Sequence, residues 1–381
     1  MTIIKESQTA SQGETRLGPR AKFTTTRPSA HEGAPEEWSV FQDRVRDLLD
    51  QYFAAERRRA AGYSPAFGVL WENMAGTTTG GKWMRPRLVH LSYQAFGGRD
   101  AQACSELAAA FEMLHAALLV HDDVIDRDFV RRGSDTLGAV YRDVATAQGR
   151  TPTDADHAGF SAAIIAGDLL LTASLRLAAS ASAGHPHGAA ILATIHEAIF
   201  SAAAGELEDL LLSLRTTAPD LPEVLNMERM KTAVYSFEMP LRAGALLAGE
   251  SVATADALAA VGRDIGVAYQ VIDDVLGTFG VAAMTGKSVE SDLREGKSTI
   301  LTTFAAGSDD FAATLEAFRD GDADAASVRT ALRQAGAQAQ ALGLAETLVA
   351  QALEKAAELA LPEPLTLQLR QICDHVLSRR N

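Results

Sequence analysis

CSELAAAFEMLHAALLVHDDVID, residues 104–126, is the stretch on which the fold turns. Its apolar residues recur at spacings of three and four, the period of a helix, and Ala and Leu outnumber the β-branched and aromatic types that fill strands. AGDLLLTASLRLAASAS, residues 166–182, repeats the pattern. Both are apolar around most of their circumference, which marks helices buried among other helices. Alternating strand patterns between turn pairs are nearly missing elsewhere, and aromatic residues make up only 6% of the chain. The fold class is therefore read as all-α.

Outward from these helices, Gly and Pro mark breaks at Gly97-Gly98, Gly149 to Pro152, Gly184 to Pro186, Pro219 to Pro222 and Gly277 to Gly286. They delimit about ten helices or more. The polar stretch TAQGRTPTDADHAGF, residues 146–160, reads as an exposed loop, and SDDFAATLEAFRDGDADAAS, residues 308–327, as an acidic surface connection. Residues 1–36 are polar and without periodicity, a flexible N-terminal arm, and 37–381 form one all-α domain. No repeat of solenoid length is present, which favours a compact helical assembly.

At 381 residues, 47% of them hydrophobic and 22% charged, the chain has ample core material, and wholesale disorder is excluded. Its 49 acidic against 35 basic residues give a net charge of −14. That balance repels nucleic acid and anionic membrane surfaces, so an anionic ligand must be held by local basic residues or by bound cations. The cysteines, Cys104 and Cys373, are too few for a disulfide framework and fit a reducing, cytoplasmic setting. No targeting signal is apparent at the N-terminus. Nor is there an apolar run of the roughly 18 or more residues needed to span a bilayer, so no transmembrane segment is expected.

The helix-like stretch at 104–126 ends in a dense carboxylate group, Asp122, Asp123, Asp126 and Asp128. At about 100° per residue, Asp122 and Asp126 lie one turn apart and reach the same ion. Hard oxygen ligands with room for water suit magnesium, which commonly joins one or two carboxylates to substrate phosphates. Taken alone, the spacing is equally compatible with a solvated helix end. A second cluster, Gln270, Asp273 and Asp274, closes another apolar run. Gln270 and Asp274 share a face at spacing four, and acidic ends on facing helices are how helical bundles build metal sites.

Basic residues supply the complement. Gly80-Gly81 precedes Lys82, Arg85 and Arg87; Arg131-Arg132-Gly133 follows the first cluster; Lys231, Lys287 and Lys297 lie further on. Singly each reads as a surface charge; beside carboxylate clusters in an acidic protein they suggest a site for diphosphate with metal.

These segments together resemble the trans-isoprenyl diphosphate synthases, or polyprenyl synthetases, and bacterial geranylgeranyl diphosphate synthases among them. GGKWMRPR, HDDVIDRDFVRRG, GELED, KTAVYSF and QVIDDVLGTFG with TGKSVESDLREGK occur in the family's order between about residues 75 and 300. The resemblance implies a single large helical bundle around a deep central cavity, usually homodimeric. It implies isopentenyl diphosphate and an allylic diphosphate as substrates, and about three magnesium ions per site. Asp122 and Asp126, with Asp123 in support, resemble the carboxylates that bind two of those ions, and Asp273 the ligand of another. Lys231, Gln270, Lys297, Lys287 and Arg131 resemble contacts to the allylic diphosphate. Gly81, Lys82, Arg85, His115 and Arg132 resemble the isopentenyl diphosphate site, with Thr232 and Asp209 as further candidates. His115, seven residues before Asp122, lies on nearly the same helix face.

The implied chemistry is metal-assisted ionisation of the allylic diphosphate, attack by the isopentenyl alkene and loss of a proton to the departed diphosphate. The second motif departs from the family's frequent DDxxD, reading Asp273-Asp274-Val275-Leu276-Gly277, and Val281 stands where an acidic residue often follows Phe-Gly. A less acidic third metal site follows.

Product length is expected to depend on the helix face upstream of Asp122. Ala117 and Leu118 are not aromatic, whereas in the family a bulky aromatic there stops growth at fifteen carbons. Phe111, with Leu114 between it and Ala117, lies about 20° off the face of Asp122 and roughly 16 Å down the axis, as a deeper floor. Geranylgeranyl diphosphate is the expected product, with farnesyl and geranylfarnesyl diphosphate as alternatives. A class I terpene cyclase would need an N-x-x-x-S-x-x-x-E metal motif, which is missing, and no Gly81, Lys82, Arg85 site. A non-catalytic regulatory subunit is the third reading, disfavoured by the complete first motif.

Overall fold

The computed structural model describes residues 36–78, 81–131, 133–215, 217–280 and 297–379. Among these, fifteen α-helices, one π-helical segment and one hairpin of two-residue strands make up the fold. The first four helices are α1 (Trp38–Ala61), α2 (Pro65–Thr77), α3 (Met84–Ala95) and α4 (Ala101–Ile125). The hairpin β1 (Val130–Arg131) and β2 (Ser134–Asp135) then leads to α5 (Leu137–Ala147), α6 (Pro152–Ala181), α7 (Gly188–Ser213) and α8 (Leu221–Glu228). A π segment (Arg229–Glu238) runs into α9 (Met239–Leu247) and α10 (Val252–Phe279). The chain ends with α11 (Ile300–Ala305), α12 (Asp309–Asp320), α13 (Ala325–Gln334), α14 (Ala337–Glu358) and α15 (Glu363–Ser378). The all-α reading holds.

α4 is the axis of the bundle. Asp100 caps it by accepting the Ala103 N–H at 2.9 Å, and no Gly or Pro interrupts its 25 residues. Leu107, Phe111, Leu114 and Ala117 are fully buried because α4 is covered by α6, α3 and α1. Small residues let α6 approach closely enough for the buried Ser174 hydroxyl to donate to the Ala110 carbonyl at 2.7 Å. On the other side, α10 packs on α14, α9 and the π segment, with Lys355 bonded to Asp264 at 2.6 Å across the α14–α10 seam.

Several sequence expectations change. The stretch 146–160 is mostly helix: Thr151 caps α6 with Pro152 at its first position, where a missing N–H costs nothing. Residues 308–327 form α12 and the start of α13, because Ser308 caps and Asp309 and Asp310 place negative charge on the first turn. Gly277 lies inside α10 rather than at a break. The arm at 1–35 lies outside the described residues; Glu36 belongs to the folded part, its carboxylate held by Arg44 at 2.6 Å. The membrane reading is also corrected: α4, α6 and α7 are long and apolar enough, by length and mean hydropathy, to cross a bilayer. Ala-rich helices reach that mean without an unbroken apolar run. The apolar window of α4 is 72% buried inside the protein, those of α6 and α7 39%.

Candidate active site

α3, α4, α7, the π segment, α10 and the end of α15 enclose a cavity of about 1490 Å³. That exceeds the roughly 300–1,000 Å³ usual for one small ligand. Asp122, His115, Leu118 and Leu119 face it from α4; Glu206 and Asp209 from α7; Lys231 and Thr232 from the π segment; Gln270 and Asp273 from α10.

The carboxylate end of α4 is held by cations from three directions. Arg131, on β1, donates Nη2 to Asp122 and Nε to Asp123, both at 2.5 Å. Lys297 bonds Asp126 at 2.6 Å. Lys231 bonds Asp209 at 2.7 Å and Glu206 at 3.0 Å, and lies 3.5 Å from Asp122. Burial opposes the charge of Lys231, yet Asp122, Asp209 and Glu206 outweigh it and hold the amine above the ordinary lysine value. Asp123 turns away from the cavity; burial pushes its carboxyl up to about 6 against the pull of Arg131. It braces Arg131, whereas Asp122 faces the open volume.

A carboxylate oxygen from each of Asp122, Asp126 and Glu206 lies within 4.8 Å of the others. The oxygen-only donor set, two members of which, Asp122 and Glu206, line the cavity, fits a hard divalent cation such as magnesium. Glu206 is a member that the sequence reading missed, although it stands inside the quoted GELED, three residues before Asp209 and so on a neighbouring face of α7.

On α10 the neighbouring aspartates have different partners. Asp274, half-buried on the cavity wall, accepts from Gln270 Nε2 at 3.0 Å and from the Ile300 N–H at 3.4 Å. Burial raises its pKa and, more strongly, that of Glu228 facing it, so this carboxyl pair favours holding a proton. The pair fixes Gln270 toward the cavity. Asp273, on the same cavity wall, pairs with Arg379 at 2.5 Å.

The basic group following the glycine pair lies on the same cavity. Gly81 has φ +78° and Trp83 φ +49°, so two left-handed residues flank Lys82 in the turn before α3. Arg85 donates to Ser236 Oγ at 2.8 Å and to Tyr235 Oη at 3.1 Å. The Tyr235 hydroxyl is in turn 3.3 Å from His115 Nδ1. Glu112, one turn before His115, is buried on the cavity wall with one carboxyl oxygen unbonded.

Gly81, Lys82, Arg85, His115, Asp122, Arg131, Asp209, Lys231, Thr232, Gln270, Asp273 and Lys297 therefore line one cavity. Arg132, Lys287 and Val281 lie outside the described residues. Of the candidate chain-length residues, Leu118 lines the cavity, while Phe111, Leu114 and Ala117 are fully buried in the core. On α4 the lining runs no further toward the N-terminus than Glu112. Besides Glu206, the sequence reading missed Tyr235, Ser236, Glu228 and Arg379.

Comparison with known proteins agrees with this geometry. Residues 69–335 match the polyprenyl synthetase family. A geranylfarnesyl diphosphate synthase of Aeropyrum pernix is 36% identical over 59% of this chain and 66% of its own length. A (2E,6E)-farnesyl diphosphate synthase of Mycobacterium tuberculosis is 30% identical over 88% of this chain and 89% of its own. The crystal structure of a geranylgeranyl pyrophosphate synthase from Corynebacterium glutamicum, complexed with isoprenyl diphosphate and magnesium, superposes with a TM-score of 0.83 at 27% identity, covering 91% of this chain and all of that one. By sequence, fold and the arrangement of its cavity, this chain belongs to the polyprenyl synthetase family.

Proposed function

We propose that this prenyltransferase condenses isopentenyl diphosphate head to tail with an allylic diphosphate and releases geranylgeranyl diphosphate. One observation carries the reading: a carboxylate group ringed by Arg131, Lys231 and Lys297 and a separate basic group, Lys82, Arg85 and His115, line one large cavity. Two anionic substrates thereby meet with their hydrocarbon parts enclosed between them. A terpene cyclase has no use for the second basic group, and a regulatory subunit none for either.

Asp122, Asp126 and Glu206, with Asp273 across the cavity, are the residues to hold magnesium. When bound, it draws negative charge off the departing diphosphate. Lys231, Arg131 and Lys297 exchange their carboxylate partners for diphosphate oxygens and fix its orientation. The allylic C1–O bond breaks with its electron pair leaving on the diphosphate, and Leu118 and Leu119 keep water from the cation. Lys82, Arg85 and His115 hold isopentenyl diphosphate so that its terminal alkene carbon bonds to C1. The proton lost from the adjacent methylene passes to the released diphosphate, which balances the step. Leu118, which lines the cavity and is not aromatic, leaves room for growth past fifteen carbons. A homodimer in the cytoplasm completes the reading, supported by the free, buried thiols of Cys104 and Cys373 and by the exposed apolar side chains of α7.

The test is an assay of the purified chain with magnesium, isopentenyl diphosphate and, separately, dimethylallyl, geranyl and farnesyl diphosphate, with products sorted by carbon count. The expected outcome is elongation that ends at twenty carbons and stops on chelation. Products ending at fifteen or twenty-five carbons would move the assignment to farnesyl or geranylfarnesyl diphosphate. Failure with every primer would overturn the catalytic reading.

A further inference from the structure

Arg131 is central to the carboxylate end of the site, yet the hairpin that presents it is slight. β1 and β2 pair over two residues each, Val130 with Asp135 and Arg131 with Ser134, and a two-stranded ribbon of that length is marginal by itself. Val130 is 54% exposed, so its side chain gives the ribbon little anchorage. Ahead of it the chain turns sharply at Arg127, whose φ is +58°. Backbone bonds gather at the foot of the hairpin: the Asp128 N–H donates to the Asp123 carbonyl at 2.8 Å, and the Thr136 N–H to the Phe129 carbonyl at 3.1 Å. The Thr136 hydroxyl adds a bond to the Asp128 carbonyl at 3.2 Å.

The Phe129 ring ties that foot to the bundle. It does not line the cavity. It stacks instead on Phe160 of α6, with centroids 4.8 Å apart and planes 20° from parallel, and the Arg142 guanidinium of α5 sits 4.2 Å from its centre. The space for the ring depends on Gly159, where a Cβ would come within 3.2 Å of Phe129 Cε1 and 2.5 Å of the Gly138 carbonyl oxygen. α5 and α6 thus close on one another beside the ring and clamp it. Two residues further on, Arg131 donates Nε to Asp123 and Nη2 to Asp122. A cation that takes Asp122 releases Nη2 and leaves Nε on Asp123, so the freed edge of the fork can bind a diphosphate oxygen without the stem moving. That use of the fork requires a fixed backbone beneath it, since displacements of about 1 Å are costly in such sites. Resting on the functional reading above, we propose that Phe129 is a positioning residue that acts through Arg131. The clamp on its ring sets where the guanidinium stands when a metal–diphosphate arrives, from a place outside the cavity.

A double-mutant cycle on binding tests this. Manganese with inorganic diphosphate is titrated calorimetrically into the full chain. Phe129→Ala should weaken that binding about tenfold, the scale of one charge-assisted hydrogen bond. Phe129→Tyr keeps the ring and should restore the affinity to within about twofold of the parent. In an Arg131→Gln background, Phe129→Ala should change the affinity by less than about twofold, because the group it positions is gone. Arg142→Leu opens the clamp from the solvent side with less risk to folding; it should weaken binding about threefold in the parent, the scale of an exposed cation–π contact, and not in Arg131→Gln. Parent-level affinity in both Phe129→Ala and Arg142→Leu would overturn the proposal, as would a loss that persists undiminished in the Arg131→Gln background, which is the mark of a merely structural role. A parent protein that takes up no manganese with diphosphate would instead sink the functional reading.

Discussion

Leu118 and Phe111 illustrate how little separates a cavity wall from a core at the scale of one residue. By helix geometry both lie within about 40° of Asp122, and on angle alone Phe111 is the better placed. Phe111 is nonetheless fully buried, while Leu118 meets the cavity, because depth along α4 decides where neighbouring helices close. Leu118→Phe should therefore shorten the main product by one five-carbon unit, with the first condensation largely unaffected. Phe111→Ala should leave product length unchanged and cost about 3–5 kcal/mol of stability as a core cavity. Chain-length analysis and thermal unfolding of the two variants check both halves, and a longer product from Phe111→Ala would return that ring to the cavity floor. Asp122 and Asp126, the proposed ligands, were legible because their one-turn spacing coincides with a second acidic cluster and with basic residues. Arg379 was not: its partner Asp273 is distant in the sequence, and nothing in Ser378-Arg379-Arg380 tells which carboxylate a terminal arginine will find.

Among the elements, the π segment carries the most chemistry and left the faintest trace in sequence. α4 and α6 announce themselves through apolar spacing, but ten residues with i→i+5 bonding have no propensity signature, and such turns gather at functional sites. One local cause is visible afterwards: Pro240, at the start of α9, removes the N–H that would have bonded the Ser236 carbonyl. Another lies across the interface, where a Cβ on Gly205 would come within 2.2 Å of the Lys231 backbone nitrogen. Only glycine lets α7 approach this closely, and the approach puts Lys231 between Glu206 and Asp209. Gly205→Ala pushes on backbone, which cannot step aside as a side chain would. It should cost about 1–3 kcal/mol in stability and lower kcat by about tenfold or more through misplacement of Lys231. Circular dichroism melts and steady-state kinetics on that variant decide it; kcat at the parent value would mean that the π segment tolerates the shift.

For the molecule as a whole, the two acidic clusters are far apart in sequence yet line one cavity. The sequence pointed that way only in part, since both clusters end apolar helices. It did not disclose the outer surface, because an amphipathic pattern does not say whether an apolar face meets the same chain or another copy. Phe200, Leu207, Leu211 and Leu214 fall within about 60° of one another around α7, and all are exposed in the single chain, Phe200 at 67%. Ile164, Ile165 and Leu175 of α6 are exposed as well. An apolar stripe of this kind marks an association surface, and a two-fold axis allows it to cover itself. Leu207 belongs to the stripe and also lines the cavity, so association would shield a wall of the reaction space from water. The chain should accordingly sediment at twice its 40.4 kDa mass. Phe200→Glu combined with Leu211→Glu should give a folded monomer with much reduced elongation, since neither side chain touches the substrate groups. Sedimentation velocity at micromolar concentration, paired with the elongation assay, separates the possibilities: a monomeric parent removes the interface, and a monomeric variant with full activity removes its role in enclosing the cavity.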